Sequence, residues 1–166
     1  MLFSSTLDLV IIGRSILSSF GNPQAELYRG LVGELAQHGH RTVFLERHSN
    51  GQEKPRDMLR TPYCEVWTYK DIETLKSDYR EAVNSADIVL LGSNIAQSSE
   101  IAEWIANEAS GVKVYYDTDL GRTLRSLNND NDDEECVSCR ALPGFDLFLS
   151  TTGGPVLEQL GAEYKI

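Results

Sequence analysis

Apolar residues fall along the chain in short continuous runs, each followed by a polar stretch and then by apolar positions at helical spacing. The first run, LDLVIIG at Leu7–Gly13, is unbroken rather than alternating, which predicts a parallel strand covered on both faces. After the polar loop RSILSSFG, Asn22-Pro23 predicts a helix start, with Asn as N-cap and Pro at the first helical position. Leu27, Leu31 and Leu35, with Tyr28 and Val32 alongside, give that helix an apolar face, and Gly39 predicts its end. Arg41–Glu46 predicts a second strand, and a short third lies around CEVWTY. Asp71 predicts the cap of a helix carrying Ile72, Leu75, Tyr79, Ala82, Val83 and Ala86. Asp87–Gly92 predicts a fourth strand, and Ser98 or Ser99 opens a helix that closes at Gly111. Val112–Asp117 and Phe145–Ser150 predict strands five and six, and a last short helix starts at Pro155 and ends near Gly161.

Strand and helix in alternation imply an α/β fold, a Rossmann-like doubly wound parallel sheet in one three-layer domain. No internal repeat or second domain shows in the pattern, so the expected domain is the whole of 1–166. No apolar run approaches the ~18 residues of a spanning helix, and MLFSSTLDLVIIG lacks a basic leading region. A cytoplasmic protein without a signal peptide is the expectation.

The net charge of −10 changes the picture of partners, because such a field repels phosphate backbones and anionic membranes. Neither nucleic acid nor a membrane is expected. Much of the charge sits in NNDNDDEE, 128–135, which lacks the glycine and distal glutamate of a calcium loop and reads as a solvated, mobile insertion. Cys64, Cys136 and Cys139 are an odd number, and CVSC has no second ligand pair, so loop cysteines are expected and no metal.

In a doubly wound sheet ligands bind beyond the carboxyl ends of the strands. Those ends read GRSILSSFGN, ERHSNG, GSNIAQSS, DTDLGRT and STTGGP, all polar after apolar strands, which suggests a polar cleft. The first loop is not a dinucleotide turn, since Gly21 is the next glycine after Gly13, and no P-loop occurs anywhere. An NAD- or flavin-dependent oxidoreductase is disfavoured on that ground. Glu46 is expected to be a solvated strand-end residue. Thr152, Gly153 and Gly154 either present backbone N–H groups to an anion or make a tight turn with Thr152 as helix cap, and both readings stay open. Asp119 is expected to cap a helix through Leu120, Leu124 and Leu127, while Asp117 is a candidate base or hydroxyl contact. His38 and His40 are expected on the surface away from the cleft. His48, just past the second strand, is the only histidine on the cleft edge and the second candidate for a catalytic base. No Ser/His/Asp set emerges.

The ordered segments SILSSFGNPQAELYRGLVGELAQHGHRTVFLER, ADIVLLGS, EWI, VYYDTD…TL and FDLFLSTTGGPVLEQLGA are similar to the amino-terminal half of the CgeB-like (spore maturation protein) glycosyltransferases, from about Leu7 to Ala162. The resemblance implies a GT-B architecture of two Rossmann-like domains, this one facing the acceptor and a carboxyl-terminal domain holding the nucleotide-sugar co-substrate. It implies ligand contacts at Ser18, Ser19, Gly21 and Asn22 in the first loop, Arg29 on the helix after it, Gly92 and Ser93 after the fourth strand, Asp117, and Thr152, Gly153 and Gly154. It implies no separate cofactor, a sugar or other hydroxyl-bearing acceptor, and a donor-binding domain or partner chain. Two departures stand out. Leu120-Gly121 replaces the proline that usually follows the acidic pair, and the chain ends at GAEYKI where the family continues into its donor domain. Transfer needs donor and acceptor held in line, so the expectation is a domain inactive alone, with a binding module without catalysis as the alternative. An apolar docking face would also allow a homodimer.

Overall fold

The computed structural model describes residues 5–48, 56–129 and 134–164. Six parallel strands form one sheet: β1 (Asp8–Gly13), β2 (Arg41–Arg47), β3 (Glu65–Tyr69), β4 (Ile88–Gly92), β5 (Val112–Asp117) and β6 (Leu147–Ser150). Their order is β3-β2-β1-β4-β5-β6, so the direction of winding reverses between β1 and β4. That is the doubly wound arrangement the strand–helix alternation predicts. β1 lies at the centre, with Leu9 to Ile12 all buried, whereas β6 is an edge strand whose residues alternate between exposed and half-buried. The pattern follows from position: a central strand has two faces to cover and an edge strand less.

Helix α1 (Gln24–Gln37) covers one face, where Tyr28 and Val32 pack on Ile11, Phe44, Leu90 and Val114. Helices α2 (Ile72–Asp78), α3 (Arg80–Ser85) and α4 (Ser98–Glu108) cover the other, with the 3-10 turn Leu142–Gly144, over Val10, Ile12, Leu45, Val89, Leu91 and Tyr115. Leu127 of α5 (Leu120–Asn129) and Tyr164 of α6 (Pro155–Tyr164) pack against that second cluster.

Several local expectations change. Leu27 is exposed and α1 buries Gln24, Ala25, Tyr28, Val32 and Gly33 instead, because the aromatic ring of Tyr28 sets which stripe meets the sheet. Asn22 does not cap α1; its Nδ2 donates to the carbonyls of Ser15 and Ser18 and closes the preceding loop. The helix expected after Asp71 is two pieces, broken where Tyr79 leaves helical geometry at φ −115° and ψ 10°. Asp71 does cap the first of them, accepting from Thr74 N–H. Gln97, at φ 60°, precedes α4, and no side-chain cap comes from the serines. The last helix runs through Gly161 to Tyr164. Asp119 caps α5 as expected, its Oδ1 accepting from Arg122 N–H. The insertion expected at 128–135 lies partly outside the described residues; Glu134 and Glu135 within it are held, the Glu134 carbonyl by Ser98 N–H and the Glu135 carboxylate by Arg122.

Candidate functional site

The first loop is built around a buried carboxylate. Glu46, at the end of β2, is 3% exposed and not solvated, because its Oε2 accepts from Ser15 Oγ at 2.9 Å and from Ile16 N–H at 3.0 Å. Farther along the loop, Ser19 donates from both its N–H and its Oγ to Asp57, which lies between β2 and β3. Arg29 closes the assembly from α1: its two terminal nitrogens reach both oxygens of Asp57, and its Nε donates to the Ile16 carbonyl. That bidentate pair holds the Asp57 carboxyl well below the usual range. Arg29 and Ser19 are thus committed to the loop. Ser18 and Asn22 are buried, and Gly21 turns the chain at φ +61°.

The turn between β1 and α1 is closed. Pro23 contributes no N–H, and the Ala25 N–H is taken by the Asn22 carbonyl. Gln24 donates through Nε2 to Thr118 Oγ1 at 2.5 Å, and Thr118 in turn meets Ser93 Oγ at 3.0 Å. Tyr28 fills the space over the ends of β1 and β4. A Cβ built on Gly92 would lie 1.7 Å from the Tyr28 hydroxyl, so Gly92 is there for the ring. A pyrophosphate at this helix start would meet a proline without an N–H, an occupied Ala25 N–H and the Tyr28 ring in its way.

Asp117 lies at the end of β5 with no exposed surface. Its Oδ1 accepts from Asp119 N–H at 2.8 Å, and its Oδ2 has no partner. Burial raises its pKa, and hydrogen bonding from Asp119 N–H only partly offsets that. Thr152, Gly153 and Gly154 are exposed beyond β6. Thr152 N–H donates to Ser150 Oγ, and the Gly154 carbonyl accepts from Leu157 and Glu158, so Gly154, at φ +88°, stands where Thr152 was expected to cap.

An open cavity of about 290 Å³ lies instead at the ends of β3, β2, β1 and β4. Its floor and sides come from Gly13, Arg14, Arg47, His48, Tyr69 and Lys70, and the facing wall from Asn94, Ile95, Ala96 and Glu135. His48 N–H donates to the Tyr69 carbonyl at 2.7 Å, which carries the parallel ladder one residue past the strand and fixes the backbone beneath its exposed ring. Arg122 braces the wall, donating to Asn94 Oδ1 and pairing with Glu135. Asn94 and Gln97 both have positive φ, at 61° and 60°, an uncommon backbone for residues with a Cβ.

The structure therefore divides the expected residues. His48 lines the cavity, and Gly92 and Ser93 lead into its wall. The first-loop residues and Asp117 are knit into the scaffold, and the Thr152–Gly154 turn sits two strands beyond β4. Arg14, Arg47 and Lys70 line the cavity and were missed, although each is at or one residue past the end of a strand. Among the described residues no group of three His, Cys, Asp or Glu side chains is placed to hold a metal ion. Cys136 is buried and Cys139 exposed, and no disulfide joins the cysteines. Among the described residues no helix is long and apolar enough to cross a membrane.

No protein-family model matches the sequence, and no curated protein matches it. Among solved structures the chain is similar to an α-glucosyltransferase in complex with UDP and a 13-mer DNA containing an HMU base. The TM-score is 0.58 and the identity 15%, over 88% of this chain and 38% of that one. A fainter likeness, with a TM-score of 0.42 and 16% identity, is to the Bordetella bronchiseptica enzyme WbmH in complex with NAD+, over 70% of this chain and 40% of that one. The chain spans about two fifths of the length of either protein. With its sheet order and the overlap on the glucosyltransferase, the chain has a Rossmann-like, doubly wound α/β fold.

Proposed function

We propose that the chain is the acceptor-side domain of a CgeB-like GT-B glycosyltransferase, transferring sugar from a nucleotide-sugar to a hydroxyl-bearing acceptor once a donor-binding domain is supplied. The observation that supports the reading is the overlap of most of this chain on little more than a third of an α-glucosyltransferase, which leaves the larger part of that protein without a counterpart in this chain. The closed β1–α1 turn supports it by disfavouring a dinucleotide there, and the strand-end cavity is small enough to suit a single sugar ring. Within that cavity His48 supplies the imidazole placed to accept a proton from an attacking hydroxyl. His48→Gln is expected to leave sugar binding intact and to lower turnover of the completed enzyme by about 100-fold or more. A stand-alone binding module is the second reading, favoured by the fact that one domain lines the whole cavity.

Amide resonances of Gly13, Asn94 and Ala96 test the first reading. Methyl glucosides should shift them while NAD+ leaves the chain unperturbed. Saturable NAD+ binding at the start of α1, with no response to any sugar, would overturn it.

A further inference from the structure

Basic side chains are the minority in this chain, 15 Lys and Arg against 25 Asp and Glu, yet three of them converge on the cavity. Their convergence follows from register. Gly13 lies opposite Glu46, and Arg47 opposite Tyr69, so Arg14, Arg47 and Lys70 emerge at the ends of three adjacent strands. Neighbouring strands are about 4.8 Å apart, so the emerging backbones hold three like charges close together. Like charges brought to one edge of the sheet repel. Among the described residues no carboxylate lies within ion-pair distance of Arg14, Arg47 or Lys70. Asp71 lies near enough to feel Arg47 and Lys70, but its Oδ1 is occupied by Thr74 at the start of α2. Glu135, across the cavity, is paired with Arg122. Arg47 is held in place, its Nε donating to the Lys70 carbonyl.

We infer that the cavity recognises a phosphoryl group on its small-molecule ligand through Arg14, Arg47 and Lys70, and that the acceptor is a phosphorylated sugar. The inference rests on the acceptor-side reading above. A phosphate monoester carries a charge of about −1.5 to −2 at pH 7 and three strong acceptor oxygens, matching three converging cations better than a neutral hydroxyl-bearing ligand would. The cavity volume fits a sugar monophosphate more closely than a polymer, and the overall charge of −10 opposes a long polyanion.

Calorimetric titration of the full chain separates the outcomes, using glucose, glucose 6-phosphate, inorganic phosphate, UDP-glucose and a 13-mer duplex DNA. Glucose 6-phosphate should bind at least about tenfold more tightly than glucose, the size of one charge-assisted hydrogen bond. The double variant Arg47→Gln with Lys70→Gln should erase that advantage, so that glucose 6-phosphate binds no more tightly than glucose to the same variant. Arg47→Lys should retain part of it. Equal affinity for glucose and glucose 6-phosphate would overturn the inference and leave the acceptor-side reading standing. UDP-glucose binding alone would assign the phosphate to the donor, and the acceptor-side reading would fall with the inference. Tighter binding of the DNA than of glucose 6-phosphate would replace the small ligand with a polyanion. Silence for every phosphorylated probe, inorganic phosphate included, would overturn the inference as well.

Discussion

At the scale of single residues the strongest constraint is the contact between Gly92 and Tyr28. With the hydroxyl 1.7 Å from where a Cβ would stand, Gly92→Ala must displace the fully buried ring. A loss of about 1–3 kcal/mol is expected on urea unfolding, the usual size for overpacking a core. Tyr28→Phe removes a buried hydroxyl that has no hydrogen-bond partner, so by itself it should leave stability unchanged or slightly raised. It should also relieve part of the Gly92→Ala penalty, and strict additivity of the two changes would contradict the contact. Asp117 carries a pH signature. Its pKa is raised by burial, so between its unfolded value of about 3.9 and its folded value the native state holds a proton that the unfolded chain has released. Stability from this group is complete at low pH and declines as pH rises through that window. The Asp117→Asn chain should therefore gain stability relative to wild type across the window, then keep a constant lead. A gap that narrows with rising pH would refute the assignment.

At the scale of elements, the first loop is fastened from outside itself. Glu46 on β2, Asp57 and Arg29 on α1 hold it at Ile16 and Ser19. Arg29→Met removes the link to Asp57 and to the Ile16 carbonyl while keeping much of the side-chain bulk. Amide exchange at Ser19 should accelerate about tenfold, while exchange in β1 and β4 stays at its global rate. The exposure of Asp57 argues that this fastening organises the loop more than it stabilises the whole domain. Uniform acceleration throughout the sheet would show otherwise.

For the molecule as a whole, the two directions of winding leave one part of the sheet bare. Helix α1 covers its face over β1, β2 and β4, whereas the elements following β4 pack on the opposite side. Val112, Leu147 and Leu149 are 41%, 52% and 45% exposed as a result. Leu149 lies opposite Tyr116, which belongs to the α1 side, and no described element covers it. Leu149→Thr should thus change unfolding stability by less than about 0.5 kcal/mol, the range of ordinary surface substitutions. A cost near 2 kcal/mol would mean that this face is covered in solution.

The sequence by itself determined the strands, their alternation with helices and so the class of fold. Continuous apolar runs such as LDLVIIG are a local record of being covered on both sides. Caps written in adjacent residues were legible for the same reason, as at Asp71 and Asp119. The absence of a dinucleotide glycine turn was equally plain in the sequence, and the packed Gln24 and Tyr28 now give its physical counterpart. Only the tertiary structure decided what the polar strand ends do. Glu46 looked solvated until the fold placed Ser15 and Ile16 against it, and Arg29 looked available until Asp57 met it across 28 positions of chain. Arg14, Arg47 and Lys70 are far apart in sequence and become neighbours through strand order and register alone. Periodicity reports how each segment meets the core, while a site is made of side chains that different segments bring to one edge.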